Sequence, residues 1–204
     1  MKYDEVGMLI PQKVKYRIAL NEEMKEMIEN INREIYIKRI EIFDIDGCIC
    51  ENFFPNLDEK ADKETLRARI LKTKLFPEFV EYYRIISKYP GLKTYFLTGR
   101  RAKDFRNETD QQLGPLKINN NVIFLPDEYN HSKIRYNNFK IFNILSIAAK
   151  NRNCEIYVYD DLEVYYPKLL SLGLELGIPK LIFKLVTDPG EFWKLKLKRE
   201  NGRI

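Results

Sequence analysis

The chain alternates short apolar runs, rich in β-branched and aromatic residues, with longer stretches whose apolar residues have helical spacing. This alternation is typical of a parallel sheet whose strands are joined by helices that cover its faces. A length of 204 residues suits one such domain and leaves little room for a second. We therefore expect an α/β fold with a Rossmann-like, doubly wound parallel sheet.

Five segments are predicted to be strands. Residues 35–43 are predicted to form the central strand, because this run is the richest in Ile, Tyr and Phe. The other predicted strands cover 94–97, 122–125, 156–159 and 181–186, and the predicted helices cover 21–31, 57–73, 77–88, 102–113, 139–150 and 165–176. Functional residues of such sheets collect just beyond the carboxyl ends of the strands, so these ends are where candidate residues are sought.

Two carboxylates follow the predicted central strand directly. Asp44 and Asp46 are separated by one residue and are followed by Gly47. Such a pair can supply a nucleophile and a second carboxyl that protonates the leaving group and later activates water. Two acids this close repel one another, and Mg²⁺ is the expected cation because it prefers oxygen ligands. The alternative is a pair of turn-forming aspartates at the end of a strand.

Two further groups could bind a phosphate. Thr98, Gly99 and Arg100 follow the second strand and offer a hydroxyl, an unhindered backbone N–H and a guanidinium, although an ordinary strand-to-helix turn capped by Thr98 has the same sequence. Lys140 is expected to begin the helix before the fourth strand, where a cation can offset phosphate charge. Lys133, predicted in the preceding loop, is its competitor, and a solvated surface lysine is the alternative.

Asp160 and Asp161 follow the fourth strand, where hard oxygen ligands would complete a Mg²⁺ site. The order of the four groups, an acidic pair, Thr-Gly, a helix-leading Lys and a second acidic pair, resembles that of the haloacid dehalogenase (HAD) superfamily phosphatases. The resemblance extends from about Ile35 to Val186. The first motif of that family is usually Asp-x-Asp-Gly-Thr, and Cys48 stands in the Thr position here.

The resemblance implies a magnesium-dependent phosphohydrolase that works through an aspartyl-phosphate. The implied roles are a nucleophile at Asp44, a general acid and base at Asp46, phosphoryl binding by Thr98, Gly99 and Arg100, charge stabilisation by Lys140, and Mg²⁺ ligation by Asp44, the Asp46 backbone carbonyl and Asp160, with Asp161 assisting. Because Asp46 is a carboxyl group, phosphate transfer to water is expected rather than dehalogenation.

The predicted domain organisation bears on the substrate. We expect one HAD-like domain over residues 1–204, with an N-terminal helical extension at about 1–34 and a small flap and helix insertion at about 48–75. Neither usual insertion point has room for a folded cap domain, so the site is expected to be open. By analogy with the family, an open site favours substrates that bring their own bulk, such as nucleic-acid ends or phosphoproteins.

Short motifs also resemble the HAD branch of RNA-repair enzymes and polynucleotide 3′-phosphatases. They are residues 97–100, 138–140 and 156–161. Two alternatives stay open. One is a small-molecule phosphatase acting on nucleotides or sugar phosphates, and the other is a non-catalytic binding protein on the same fold, which the four intact motifs argue against.

Composition adds few constraints on function. A formal net charge of +5 is compatible with an anionic substrate but does not demonstrate one. No run approaches the roughly 18 apolar residues of a membrane span, and the first residues lack the apolar core of a secretory signal, so a cytoplasmic protein without membrane contact is expected. The three cysteines are expected to be free thiols, with Cys48 and Cys50 beside the site. The pattern does not indicate an oligomeric state.

The basic and apolar residues of 193–199 alternate. This alternation predicts a charged edge strand or a solvated tail, with contact to a nucleic-acid backbone as the alternative.

Overall fold

The fold is described from a computed structural model, which covers residues 37–52, 61–118, 121–127, 133–178 and 180–202. The side chains of residues 133–135 are not part of this description. The predicted helix at 21–31 and the predicted N-terminal extension at about 1–34 lie outside the described residues.

The predicted parallel sheet is confirmed. Its five strands are β1 (Arg39–Phe43), β2 (Leu92–Arg101), β3 (Val122–Leu125), β4 (Glu155–Asp160) and β5 (Leu181–Leu185). All neighbouring strands are parallel, and their order across the sheet is β3-β2-β1-β4-β5. The chain therefore adds β2 and β3 on one side of β1 and then returns to add β4 and β5 on the other side of β1. This reversal places the topological switch point between β1 and β4.

In the described parts of the chain, six helices and one short 3₁₀ turn lie between or after these strands. They are α1 (Lys63–Lys72), α2 (Pro77–Ile86), α3 (Ala102–Leu113), the 3₁₀ turn Gly114–Leu116, α4 (Lys133–Lys150), α5 (Tyr166–Glu175) and α6 (Pro189–Asn201). Local sequence explains several of their first residues. The Asp62 carboxylate accepts a hydrogen bond from the backbone N–H of Thr65 and caps α1, and Asp188 with Pro189 begins α6 in the same way.

Strand β1 is buried on both faces because helices cover both sides of the sheet. Ile40 and Ile42 pack in a core with residues of α4 and α5. Phe43, on the opposite face, packs in a second core with Phe79 of α2 and Trp193 of α6. Each such side chain contributes roughly 1.5 to 3 kcal/mol by leaving water. The two cores hold β1 rigidly, and with it the residues that follow it.

Parts of the predicted secondary structure were wrong. Strand β2 continues to Arg101, so Thr98, Gly99 and Arg100 lie within this strand and do not follow it. Helix α4 begins at Lys133 and not at 139, so Lys133 is a helical residue rather than a loop residue. Residues 193–199 belong to helix α6 and form neither an edge strand nor a solvated tail. In α6, Trp193 is completely buried and its indole N–H donates to the carbonyl of Cys48 over 2.8 Å.

The described parts of the two usual insertion points contain no cap domain. Between β1 and α2 they form a turn at 45–50 and helix α1, and between β2 and α4 they form α3, the 3₁₀ turn and β3. Among the described residues, no helix has the length and apolar character needed to cross a membrane.

Candidate active site

The candidate site lies at the carboxyl ends of β1, β2 and β4. Phe43, the last residue of β1, pairs with Phe96 of β2 and with Tyr159 of β4. Asp44 follows, and its N–H donates to the carbonyl of Tyr159 over 2.9 Å. Parallel strands end at the same edge of a sheet, so motifs far apart in sequence meet at the switch point.

Three of the predicted acidic residues form one cluster. Asp44, Asp160 and Asp161 each offer a carboxylate oxygen, and these oxygens all lie within 4.8 Å of one another. Asp44 and Asp160 are buried. Gly47 has a φ of +78°, and a Cβ built there would lie 2.3 Å from Oδ2 of Asp161, so only glycine allows this carboxylate so close to the turn. Three converging hard oxygen ligands suit Mg²⁺.

Lys140 lies within this cluster. It is completely buried, and its Nζ is 3.0 Å from Oδ1 of Asp44 and 2.5 Å from Oδ2 of Asp160. It does not begin α4 as predicted but lies two turns into the helix, because α4 starts earlier. The hydroxyl of Tyr165 also donates to Oδ2 of Asp160, over 2.6 Å. Lys140 therefore contacts both the predicted nucleophile and a predicted metal ligand.

The charges of the site do not balance among its own side chains. Among the side chains that the structure describes, the four aspartates at positions 44, 46, 160 and 161 face two cations, Lys140 and Arg100. When all are ionised, two negative charges remain, which is the charge that one divalent cation offsets. The residues present therefore fit a bound Mg²⁺ in both ligand chemistry and charge.

Burial and mutual repulsion shift the pKa values of these groups. Burial, followed by the charges of Asp160 and Asp161, raises the pKa of Asp44 well above its ordinary value, against the opposing effect of Lys140. Burial and the charge of Asp160 raise the pKa of Asp161 to about 6. Burial alone would lower the pKa of Lys140, but the charges of Asp160 and Asp44 raise it well above its ordinary value. Lys140 is therefore held as a cation.

Asp46 has different surroundings from the other aspartates. Its carboxylate is bonded to Arg100, with Nη2 at 2.6 Å from Oδ1 and Nε at 3.1 Å from Oδ2. Arg100, which is predicted to bind the substrate, is completely buried, and its guanidinium is directed at Asp46. The register between β2 and β3 shifts between Thr98 and Arg101, and such a bulge re-aims the side chains within it. Arg100 therefore lies behind the site and not on its surface.

Thr98 and Gly99 lie on β2, just after Phe96, which pairs with Phe43 at the end of β1. Thr98 is completely buried, and its hydroxyl oxygen accepts a hydrogen bond from the backbone N–H of Arg100 over 3.1 Å. As the acceptor in this bond, the hydroxyl keeps its own hydrogen for donation. A Cβ built on Gly99 would lie 2.6 Å from Cε2 of Tyr136, so the Tyr136 ring covers this glycine.

Comparisons with known proteins identify the fold. No family model and no curated protein matches the chain. Among solved structures, the chain is similar to the HAD domain of effector protein Lem4 from Legionella pneumophila, with a TM-score of 0.53 and 17% identity over 80% of this chain and 92% of that chain, in an inactive mutant. The chain has a HAD-like fold.

Two further solved structures align with this HAD-like fold. A second structure of the Lem4 HAD domain has a TM-score of 0.53 and 18% identity over 79% of this chain and 93% of that chain. A chain of the Pnkp1/Rnl/Hen1 RNA repair complex has a TM-score of 0.48 and 18% identity over 74% of this chain and 42% of that chain.

Two tyrosines of the HAD-like site were missed in the sequence. Tyr136 lies one helical turn before Lys140, whose Nζ is 4.9 Å from the Tyr136 ring centroid. Because the helix was predicted to start at 139, Tyr136 was placed outside it. With the observed start at Lys133, Tyr136 and Lys140 are an i,i+4 pair on one face of the helix. Tyr165 follows Asp160 by five residues, and the sequence contains no signal for its hydrogen bond to that carboxylate.

Proposed function

We propose that the chain is a magnesium-dependent phosphohydrolase that cleaves phosphate monoesters through an aspartyl-phosphate on Asp44. One observation carries the proposal: buried Asp44 contacts Lys140 and clusters with the carboxylates of Asp160 and Asp161 at the switch point of a HAD-like fold. A buried nucleophile beside a fixed cation and an oxygen-ligand cluster is suited to phosphoryl transfer, in which catalysis depends on positioning and charge stabilisation.

In this proposal Asp44, Asp160 and Asp161 hold Mg²⁺ through their side chains, together with the backbone carbonyl of Asp46. When bound, Mg²⁺ would neutralise negative charge on the phosphate and on the carboxylates, which allows an anionic nucleophile to approach an anionic substrate.

The proposed reaction has two steps. An Asp44 carboxylate oxygen attacks phosphorus, the bond from phosphorus to the leaving-group oxygen breaks, and that oxygen takes a proton from the Asp46 carboxyl. A water molecule then attacks the phosphorus of the aspartyl-phosphate while the Asp46 carboxylate takes a water proton. This second step releases inorganic phosphate and restores both carboxyl groups. Thr98 and Gly99 bind the phosphoryl oxygens, and Lys140 offsets the charge that Asp44 and the phosphate bring together.

Replacing the nucleophile tests the proposal. Asp44→Asn should reduce phosphate release to less than about a hundredth of wild type, since loss of such a group costs several orders of magnitude. A chelator should have the same effect on the wild type. Asp110→Asn, a matched change at an exposed aspartate of α3, should leave turnover unchanged. Phosphate bound to the wild-type protein should be released by hydroxylamine, which cleaves acyl-phosphates, and Asp44→Asn should bind none.

For the substrate, we propose a bulky phosphorylated molecule such as a phosphorylated nucleic-acid end. The absence of a cap domain among the described residues and the net charge of +5 support this class. The test is kcat/KM for a 3′-phosphorylated oligonucleotide and for the matching mononucleotide at low and physiological salt. The oligonucleotide should be preferred, and its advantage should shrink with salt because binding a polyanion releases counterions. Preference for the mononucleotide or a sugar phosphate would favour a small-molecule phosphatase.

A further inference from the structure

The contact between Arg100 and Asp46 has a geometry that can orient the Asp46 carboxylate. Two nitrogens of the guanidinium bond the two oxygens of one carboxylate, at 2.6 and 3.1 Å. This fork-to-fork contact fixes the plane of the carboxylate as well as its position, which a single hydrogen bond does not do. The Asp46 side chain keeps some exposure to solvent, at 11%, whereas the Arg100 side chain has none. Asp46 can therefore meet a substrate, and Arg100 supports it from behind.

Arg100 is itself held in place by helix α3. Its Nη1 donates to the hydroxyl of Thr109 over 3.0 Å and to Oε1 of Gln112 over 2.8 Å. The side-chain amide of Gln112 in turn donates to the backbone carbonyl of Thr73 over 2.8 Å, at the end of α1. Each member of this chain of hydrogen bonds restricts the next. The rotamer of Asp46 is thereby tied to the packing of two helices.

We propose that Arg100 is a positioning residue that holds the Asp46 carboxyl where it exchanges a proton with the leaving group and the attacking water. This inference rests on the proposed function. It differs from direct phosphate binding, because Arg100 is completely buried and its guanidinium is bonded to Asp46, Thr109 and Gln112. The role requires that the loss of Arg100 affects proton transfer and leaves substrate binding largely intact.

The leaving group provides the readout. An alkyl phosphate leaves as a poor alkoxide and depends on proton donation, whereas p-nitrophenolate leaves without a proton. In Arg100→Lys a single ammonium replaces the planar fork and cannot bond both carboxylate oxygens in the same geometry. We expect kcat for an alkyl phosphate to fall at least about tenfold more than kcat for p-nitrophenyl phosphate. A general acid accelerates a reaction by about 10²- to 10⁴-fold, and a misoriented Asp46 should lose a part of that acceleration. KM for either substrate should change less than about twofold.

The measured quantity is the ratio of kcat for the alkyl phosphate to kcat for p-nitrophenyl phosphate. When both values come from one preparation, this ratio does not depend on the fraction of protein that is folded. Gln112→Met is a second variant, which keeps the Asp46 contact but removes one support of Arg100, and it should shift the ratio in the same direction by a smaller factor. Arg101→Lys is the matched control, because Arg101 is the neighbouring arginine and pairs with Asp104 over 2.7 Å. It should leave the ratio unchanged.

Each outcome decides the proposal. A ratio that falls in Arg100→Lys and Gln112→Met, but not in Arg101→Lys, supports positioning. An unchanged ratio would show that Arg100 only stabilises the fold, and a rising ratio would show that it restrains proton donation by Asp46; either result overturns the proposal. Failure of the proposed function is a separate result, because wild-type protein with Mg²⁺ would then release phosphate from neither substrate.

Discussion

Trp193 connects helix α6 to the turn that follows β1. Its ring lies in the aromatic core with a centroid 4.8 Å from that of Phe79, and its indole N–H donates to the carbonyl of Cys48 over 2.8 Å. Cys48 belongs to the turn at 45–50, close after Asp44. We predict that Trp193→Phe lowers the free energy of unfolding, because it removes the indole donor and leaves a smaller ring in the same site.

The size of this effect follows from the two losses. A buried carbonyl left without its donor costs about 1 to 3 kcal/mol. The smaller ring removes roughly 1 kcal/mol of apolar burial, before any cost of the space it leaves. The expected loss is about 2 to 4 kcal/mol, within the roughly 5 to 15 kcal/mol that stabilises a domain. The variant should therefore fold, but with a visibly lower urea midpoint.

Urea unfolding followed by far-ultraviolet circular dichroism measures this change, since the chain has one tryptophan and the variant has none. Leu195→Ala is the control on the same helix: Leu195 is 53% exposed, and the free energy of unfolding should change by no more than about 0.5 kcal/mol. If residues 193–199 were a strand, Trp193 and Leu195 would share a face and both variants would destabilise. A loss below about 0.5 kcal/mol in Trp193→Phe would refute the reasoning.

Two further predictions test the charged groups. Lys140→Met should reduce kcat by roughly a hundredfold or more, because it removes a fixed charge at the nucleophile, while Lys133→Met should change kcat less than about twofold; the reverse pattern would assign the role to Lys133. Asp104 is the second charged group. Burial raises its pKa, but a hydrogen bond from Lys63 and the charges of Arg101 and Lys63 outweigh burial and lower this pKa below its ordinary value. A lowered carboxyl pKa contributes stability above the unfolded-state pKa of about 3.9, and this contribution disappears as pH falls through the folded-state pKa. Asp104→Asn should therefore lower the free energy of unfolding by about 1 kcal/mol at pH 7, a small loss because Lys63 is half exposed. Urea unfolding at a series of pH values should show this loss becoming progressively smaller below about pH 4. A cost independent of pH would contradict the ion-pair explanation.

Local sequence signals predicted the helices and strands whose ends are marked by turn-forming residues. Helix α3 and strand β3 have their predicted bounds, because Gly114 and Pro115 end the helix and the apolar run of β3 is short. The start of α4 was placed six residues late, since residues 133–138 are mostly polar and carry little of the apolar periodicity that marks a helix. The alternation at 193–199 fits a strand in isolation, but burial of Trp193 against Phe79 and Phe43 stabilises a helix.

By itself the sequence determined the α/β class, the parallel sheet and which polar residues lie near the carboxyl ends of its strands, because hydrophobic period and turn residues are local properties. It could not determine the direction of a side chain across the sheet. Arg100 and Asp46 are 54 residues apart, and only the bulge in β2 and the packing of α3 turn the guanidinium to the carboxylate. The same holds for the cluster around Lys140, whose contacts depend on strand order and on the position of α4 over the sheet. Contacts between distant segments are set by tertiary packing, and no local pattern encodes them.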